Sequence, residues 1–155
     1  MNLTPTMVSD IVIATFEQVA QTTVEPQSDP IQLRGNTTYV AGCVQYILGG
    51  WHAATLIQMP MPLARHVSGM MFEGRPNAEM SIAEVRDAIG EVTNIVAGNL
   101  RKAMPEGAHM SLPTVVDGVG FSFEIIDAKL HVDLAFEFQG EAFRLSIWTN
   151  GTPRN

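Results

Sequence analysis

The sequence predicts an α+β fold: an antiparallel sheet with long helices packed on it. Three observations carry this. Segments near the start and middle of the chain repeat apolar residues at the spacing of an amphipathic helix. Pairs of apolar runs meet at Gly49-Gly50 and at Gln139-Gly140, tight turns that make consecutive strands antiparallel. The order is helix, strands, helix, then helix, strands, which describes two similar helix-plus-hairpin halves, although the residues themselves show no clear repeat. At 155 residues the chain has the size of one domain, taken here as 1–155.

The first helix runs from Pro5 to about Thr22. Thr4 suits the N-cap, Pro5 suits the first helical position, and Val8, Ile11, Val12, Thr15, Phe16 and Val19 form the inner face. Val24 to Leu33 reads as loop or short strand, broken by Pro26 and Pro30. A hairpin follows, Thr37 to Leu48 and Trp51 to Gln58, with the glycine pair supplying positive φ. Its first strand is apolar on alternate residues of both sets, so it is either central in a sheet or covered on both sides.

A second helix extends from Pro62 to Glu73-Gly74 with Leu63, Val67, Met70 and Met71 inward, and Arg75-Pro76-Asn77 breaks the chain after it. The third helix is the longest, Ser81 to Met104, stopped by Pro105 and Gly107. Ser81-Ile82-Ala83-Glu84 has the form of a capping box. Strands are then expected at Met110 to Val116, Phe121 to Ile126, Leu130 to Phe138 and Phe143 to Trp148, and the tail from Thr149 to Asn155 reads as loose.

Composition narrows the function. The net charge is −7, with 16% charged and 46% hydrophobic residues. Such an acidic chain is a poor match for a nucleic-acid backbone or an anionic membrane. The N-terminus does not read as a signal peptide, and the most apolar stretch, Tyr39 to Trp51, is too short and glycine-rich to span a bilayer. A cytoplasmic setting is the default expectation. Asn36-Thr37-Thr38 matches a glycosylation acceptor, which has no meaning without secretion.

Common kinds of chemistry have little support. His52, His66, His109 and His131 are scattered without ligand spacing, so no metal site is expected. The single cysteine, Cys43, sits in an apolar strand and reads as an inert buried thiol. Gly49-Gly50 lacks the lysine and helix of a phosphate loop and reads as a turn.

The third helix is different. At about 100° per residue, Ile82, Val85, Ile89, Val92, Val96 and Leu100 fall on one side, and Asp87, Glu91, Asn94 and Gly98 on the other. Any amphipathic helix has a solvated face. This stripe, however, is poor in Lys and Arg, so its acids are not i, i+4 ion pairs. Glycine and asparagine in mid-helix also cost stability, about 1 kcal/mol and several tenths respectively. A face that carries such costs is easier to understand as a site.

Asp87-Ala-Ile-Gly-Glu91-Val-Thr-Asn94-Ile-Val-Ala-Gly98-Asn99 resembles the signature helix of the CheX/CheC family of chemotaxis phosphatases. The downstream Ser111-Leu112-Pro113-Thr114-Val115-Val116-Asp117-Gly118 is similar to the family's proline-containing segment, and the hairpins fit the family in order. CheC-type members carry two Glu-x-x-Asn motifs. This chain has one, with Ala14 and Glu17 where a second pair would sit, so CheX is the nearer resemblance.

The resemblance implies hydrolysis of the aspartyl phosphate on a CheY-like response-regulator receiver. In that reading Asn94 positions the attacking water, Glu91 pairs with the receiver's lysine, Asp87 assists docking and Gly98 permits close approach. Mg²⁺ is expected on the receiver, and no cofactor on this chain. The family also implies homodimers paired through their sheets. The competing reading is a receiver-binding or signalling adaptor on the same fold that does not hydrolyse.

Overall fold

The computed structural model describes residues 1–152. Helix α1 spans Pro5–Ala20, and its N-cap Thr4 accepts a hydrogen bond from the Met7 amide at 3.2 Å. The helix ends where Gln21 turns left-handed, at φ 47°. The segment broken by prolines forms a three-residue strand, β1, Glu25–Gln27. The first hairpin joins β2 (Thr38–Leu48) to β3 (Trp51–Pro60), and the left-handed φ of its turn falls on Gly49, at 57°. Helix α2 covers Met61–Glu73, and α3 covers Ile82–Leu100.

After α3 come β4 (His109–Met110), β5 (Thr114–Val119), β6 (Lys129–Phe138) and β7 (Glu141–Thr149). The β6–β7 turn puts Gln139 and Gly140 at φ 49° and 80°, the positive pair that a tight hairpin needs. All strands join one antiparallel sheet of order β1-β6-β7-β3-β2-β4, with β5 also pairing with β2.

That order makes the two halves visible. Hairpins β2–β3 and β6–β7 meet at the β3–β7 ladder. The strand that leads each hairpin crosses to the other half: β1 pairs with β6, and β5 pairs with β2. Helices α1 and α3 are the corresponding helices, and α2 packs against both.

The helices cover one face of the sheet. Val8, Val12 and Phe16 of α1 and Val85, Ile89, Val92 and Val96 of α3 join Val40, Ile57, Phe136, Phe143 and Leu145 in one buried core. Phe16 and Phe136 stack on Phe143 with ring centroids 4.9 and 5.2 Å away. Burial of these side chains contributes roughly 1.5–3 kcal/mol each.

The sheet's second face is partly covered by the chain itself. Ala41, Cys43, Ala54 and Leu56 pack under Phe121, Phe123 and Ile125. Both options for β2 therefore hold: it is interior to the sheet and apolar on two covered faces. Burial in this cluster pushes the Cys43 thiol pKa up.

The structure corrects several expectations. Phe121 to Ile126 forms no strand. Its alternation of Phe121, Phe123 and Ile125 with polar residues reflects one side resting on the sheet, and the open edge of β2 is already taken by β4 and β5. Met110 to Val116 is not one strand, because Ser111-Leu112-Pro113 interrupts it. Helix α3 stops at Leu100 and tightens into a 3-10 turn over Arg101–Ala103. Ile82, expected inward, is 36% exposed in the first turn.

The start of the tail is held rather than loose. Thr149 ends β7 and is buried. Asn150 Oδ1 accepts from the His52 amide at 2.9 Å, its Nδ2 donates to the Gly50 carbonyl at 2.8 Å, and Trp51 Nε1 donates to the Gly151 carbonyl at 2.7 Å. Residues 153–155 of the expected tail lie outside the described residues. Among the described residues, no helix is long and apolar enough to cross a membrane.

Candidate functional site

Helix α3 is fixed to the fold at each level. At its start the Glu84 amide donates to Ser81 Oγ at 3.2 Å, and the Ser81 amide donates to Glu84 Oε1 at 3.0 Å, completing the capping box. These hydrogen bonds hold the Glu84 carboxyl below its usual value. Along its length Val85, Ala88, Ile89, Val92, Val96 and Leu100 are buried.

Two glycines bring the helix close to its neighbours. A Cβ on Gly42 of β2 would overlap the Thr93 hydroxyl, which donates to the Ile89 carbonyl at 2.6 Å. A Cβ on Gly90 would lie 3.2 Å from Val115 Cγ2 and 3.8 Å from Pro113 Cγ. Further on, the Tyr46 hydroxyl donates to the Ala97 carbonyl at 2.9 Å. Its proton is committed there, so the 3.0 Å contact with Thr55 Oγ1 has Thr55 as donor. On the flank, Arg86 Nε donates to Asp117 Oδ1 of β5 at 2.5 Å.

This anchoring leaves the predicted stripe outward. Asp87 and Glu91 are exposed, and Asn94 and Gly98 are half-buried. On a helix, Glu91 and Asn94 have Cβ atoms roughly 5–6 Å apart. No hydrogen bond or ion pair among the described residues engages the side chains of Asp87, Glu91 or Asn94. Among the described residues a Cβ on Gly98 would meet nothing within 4 Å, so no described neighbour requires glycine there for packing.

The fold also joins the two segments that the sequence singled out. Asp87, Glu91 and Gly90 border an open concavity of about 440 Å³ whose other walls are Arg86, Pro113 and Val115. The Ser111 to Gly118 run therefore lies beside the helix motif, with Pro113 facing Gly90. The sequence reading missed Gly42, Gly90 and the Arg86–Asp117 pair. The two glycines did carry a signal, because a glycine inside a strand or helix often marks close approach of another segment.

A larger groove of about 520 Å³ runs between α1 and the end of α3, lined by Met7, Asp10, Ala14, Gln18, Asn99 and Lys102 among others. Aligning the N-caps Thr4 and Ser81 sets Val8 against Val85 and Val12 against Ile89, all buried. The same alignment sets Ala14 against Glu91 and Glu17 against Asn94. Helix α1 thus presents no carboxylate–carboxamide pair at the equivalent place.

The histidines stay apart. His66 lies against Thr22 at 3.0 Å and the Phe138 ring at 4.6 Å between centroids, and His52 Nε2 lies 2.9 Å from the Ile126 carbonyl. His109 and His131 are exposed. Among the described residues no three His, Cys, Asp or Glu side chains gather where they could hold a metal ion.

Solved structures of other proteins share this fold. CheX from Vibrio vulnificus shares the fold with a TM-score of 0.75 at 24% identity, over 93% of this chain and 94% of that one. A CheC-like superfamily protein from Shewanella sp. PV-4 gives a TM-score of 0.75 at 20% identity, over 97% and 100%. The CheX-CheY-BeF3-Mg²⁺ complex from Borrelia burgdorferi gives 0.64 at 15% identity, over 94% and 97%. No curated protein sequence matches the chain. Residues 40–137, more than half of the chain and including β3, α3 and all of β2 but its first two residues, match the family described as chemotaxis phosphatase CheX. The chain belongs to the CheX family of chemotaxis phosphatases.

Proposed function

We propose that this protein hydrolyses the aspartyl phosphate of a CheY-like receiver domain, with Asn94 positioning the water and Glu91 docking on the receiver's lysine. One observation carries the reading. Glu91 and Asn94 share the outward stripe of a helix anchored from N-cap to Ala97, yet neither side chain has an intramolecular partner among the described residues. Rigid backbone with unengaged polar tips is what a positioning surface requires.

The chemistry asks little of the phosphatase. The oxygen of a water attacks phosphorus, the bond between phosphorus and the aspartyl oxygen breaks, the carboxylate leaves as an anion, and the water's proton passes to phosphate. Asn94 can accept from that water and donate to a phosphoryl oxygen at any pH near neutrality, because a carboxamide does not titrate there. Glu91 offers a carboxylate to a lysine and so fixes the register of docking. Asp87 adds a second carboxylate one turn away, and Gly98 leaves room for the partner's backbone. Mg²⁺ belongs to the receiver in this reading, and no cofactor of this chain takes part. The Borrelia burgdorferi relative, a complex of CheX with CheY, BeF3 and Mg²⁺, supports a receiver as the partner.

The test is decay of phosphate on the phosphorylated CheY-like receiver of the same organism, with and without this protein. Acceleration is expected, and Asn94→Ala should lose on the order of 10²-fold. Tight binding without any acceleration would favour the adaptor reading instead.

A further inference from the structure

Leu112 is 86% exposed, more than any other large hydrophobic residue among the described ones. Its backbone is nevertheless held. The Ser111 amide donates to the Gln45 carbonyl at 2.8 Å, the Gln45 amide donates to Ser111 Oγ at 2.9 Å, and the Ser111 hydroxyl donates to the Leu112 carbonyl at 2.9 Å. On the other side Pro113 fixes its own φ, and β5 begins at Thr114. A single exposed leucine is ordinary on a protein surface. One set on a clamped backbone next to the wall of the site is a preformed contact, because the backbone part of the ordering cost is met before a partner covers it.

The position supplies the partner. Pro113, one Cα step of about 3.8 Å away, walls the concavity that holds Asp87 and Glu91. A standard interface buries about 800 Å² on each partner, a disc of roughly 16 Å radius. A partner seated over the concavity with a footprint of that size reaches past its Pro113 wall by more than the one Cα step to Leu112.

We propose that Leu112 is an apolar anchor for the receiver, covered when the receiver docks on the Asp87–Glu91 concavity. This rests on the reading given under Proposed function. The polar stripe then supplies register and chemistry, and Leu112 supplies affinity and selectivity among receivers. It touches no reacting atom, so it acts on binding alone.

The experiment measures the rate of receiver dephosphorylation against concentration of the phosphorylated CheY-like receiver for the wild type, Leu112→Asp and Asn94→Ala. Leu112→Asp should raise the apparent KM about tenfold or more, leave the saturating rate unchanged and leave the thermal midpoint unmoved. Asn94→Ala should do the reverse, losing rate at saturation. An unchanged KM in Leu112→Asp, with Asn94→Ala inactive, overturns the anchor and leaves the phosphatase reading standing. Full activity in Asn94→Ala overturns the phosphatase reading itself, and the anchor with it. If Leu112→Asp instead splits a dimer in sedimentation at unchanged KM, the leucine belongs to a contact between copies, and the proposal is wrong.

Discussion

Gly42 and Thr93 touch so closely that a methyl group on Gly42 would overlap the Thr93 hydroxyl. Glycine at this strand position sets how near α3 comes to β2, and so how the Glu91–Asn94 stripe is held. Gly42→Ala should destabilise the fold by about 1–3 kcal/mol, as overpacked cores do. Adding Thr93→Ala should recover part of that loss, because the hydroxyl and methyl in the way are removed. Denaturant unfolding of the two single variants and the double variant checks this; independent, additive losses would contradict it.

Tyr46 ties the same helix down from below. Tyr46→Phe leaves the buried Thr55 hydroxyl without its acceptor and removes one donor from the Ala97 carbonyl. The expected loss is about 1–2 kcal/mol, read as a lower denaturation midpoint with an unchanged slope. Burial pushes the Tyr46 phenol above its ordinary value, so the hydroxyl is a protonated donor near neutral pH.

Gly98 separates stability from function. No described residue occupies the space its side chain would fill. Gly98→Ala should therefore stabilise α3, by about 1 kcal/mol from helix propensity. If the partner approaches there, the same variant should dephosphorylate its receiver more slowly. Thermal unfolding and receiver phosphate decay, measured side by side, check the two opposite signs.

His66 carries a pH dependence. Burial lowers its pKa from the ordinary value of 6.5. Thr22 Oγ1 donates to the Ala20 carbonyl at 2.8 Å, so the His66 Nε2–H is the donor to Thr22. The folded state prefers the neutral ring, and the unfolded chain binds more protons between the two pKa values. This contribution is therefore complete above pH 6.5 and is lost as pH falls through the lower, folded value. The thermal midpoint should drop less between pH 7.5 and 5.5 in His66→Gln than in the wild type. Equal drops would contradict the assignment.

The elements that the sequence made legible share a physical reason. Thr4 and Ser81 cap helices through local bonds, and Gly49 and Gln139-Gly140 turn hairpins through local backbone angles, so neighbouring residues suffice to read them. The stripe of Asp87, Glu91, Asn94 and Gly98 was legible as an outward face because helical period alone sets it. What sequence did not disclose depends on pairing at a distance. Phe121 to Ile126 has the alternation of a strand, but which segment occupies the edge of β2 is decided by β5 and β4. Asn150 and Gly151 look like a free tail until the β2–β3 turn is beside them. Gly42 facing Thr93, and Arg86 facing Asp117, likewise need the packed fold.

The central claim is that Asn94 positions water while Glu91 holds the receiver. The most direct measurement is single-turnover loss of phosphate from the CheY-like receiver at saturating concentrations of this protein. Asn94→Ala should remain slow at saturation, down on the order of 10²-fold, whereas Glu91→Ala should chiefly require more protein to saturate. A wild-type rate for Asn94→Ala at saturation would contradict the account.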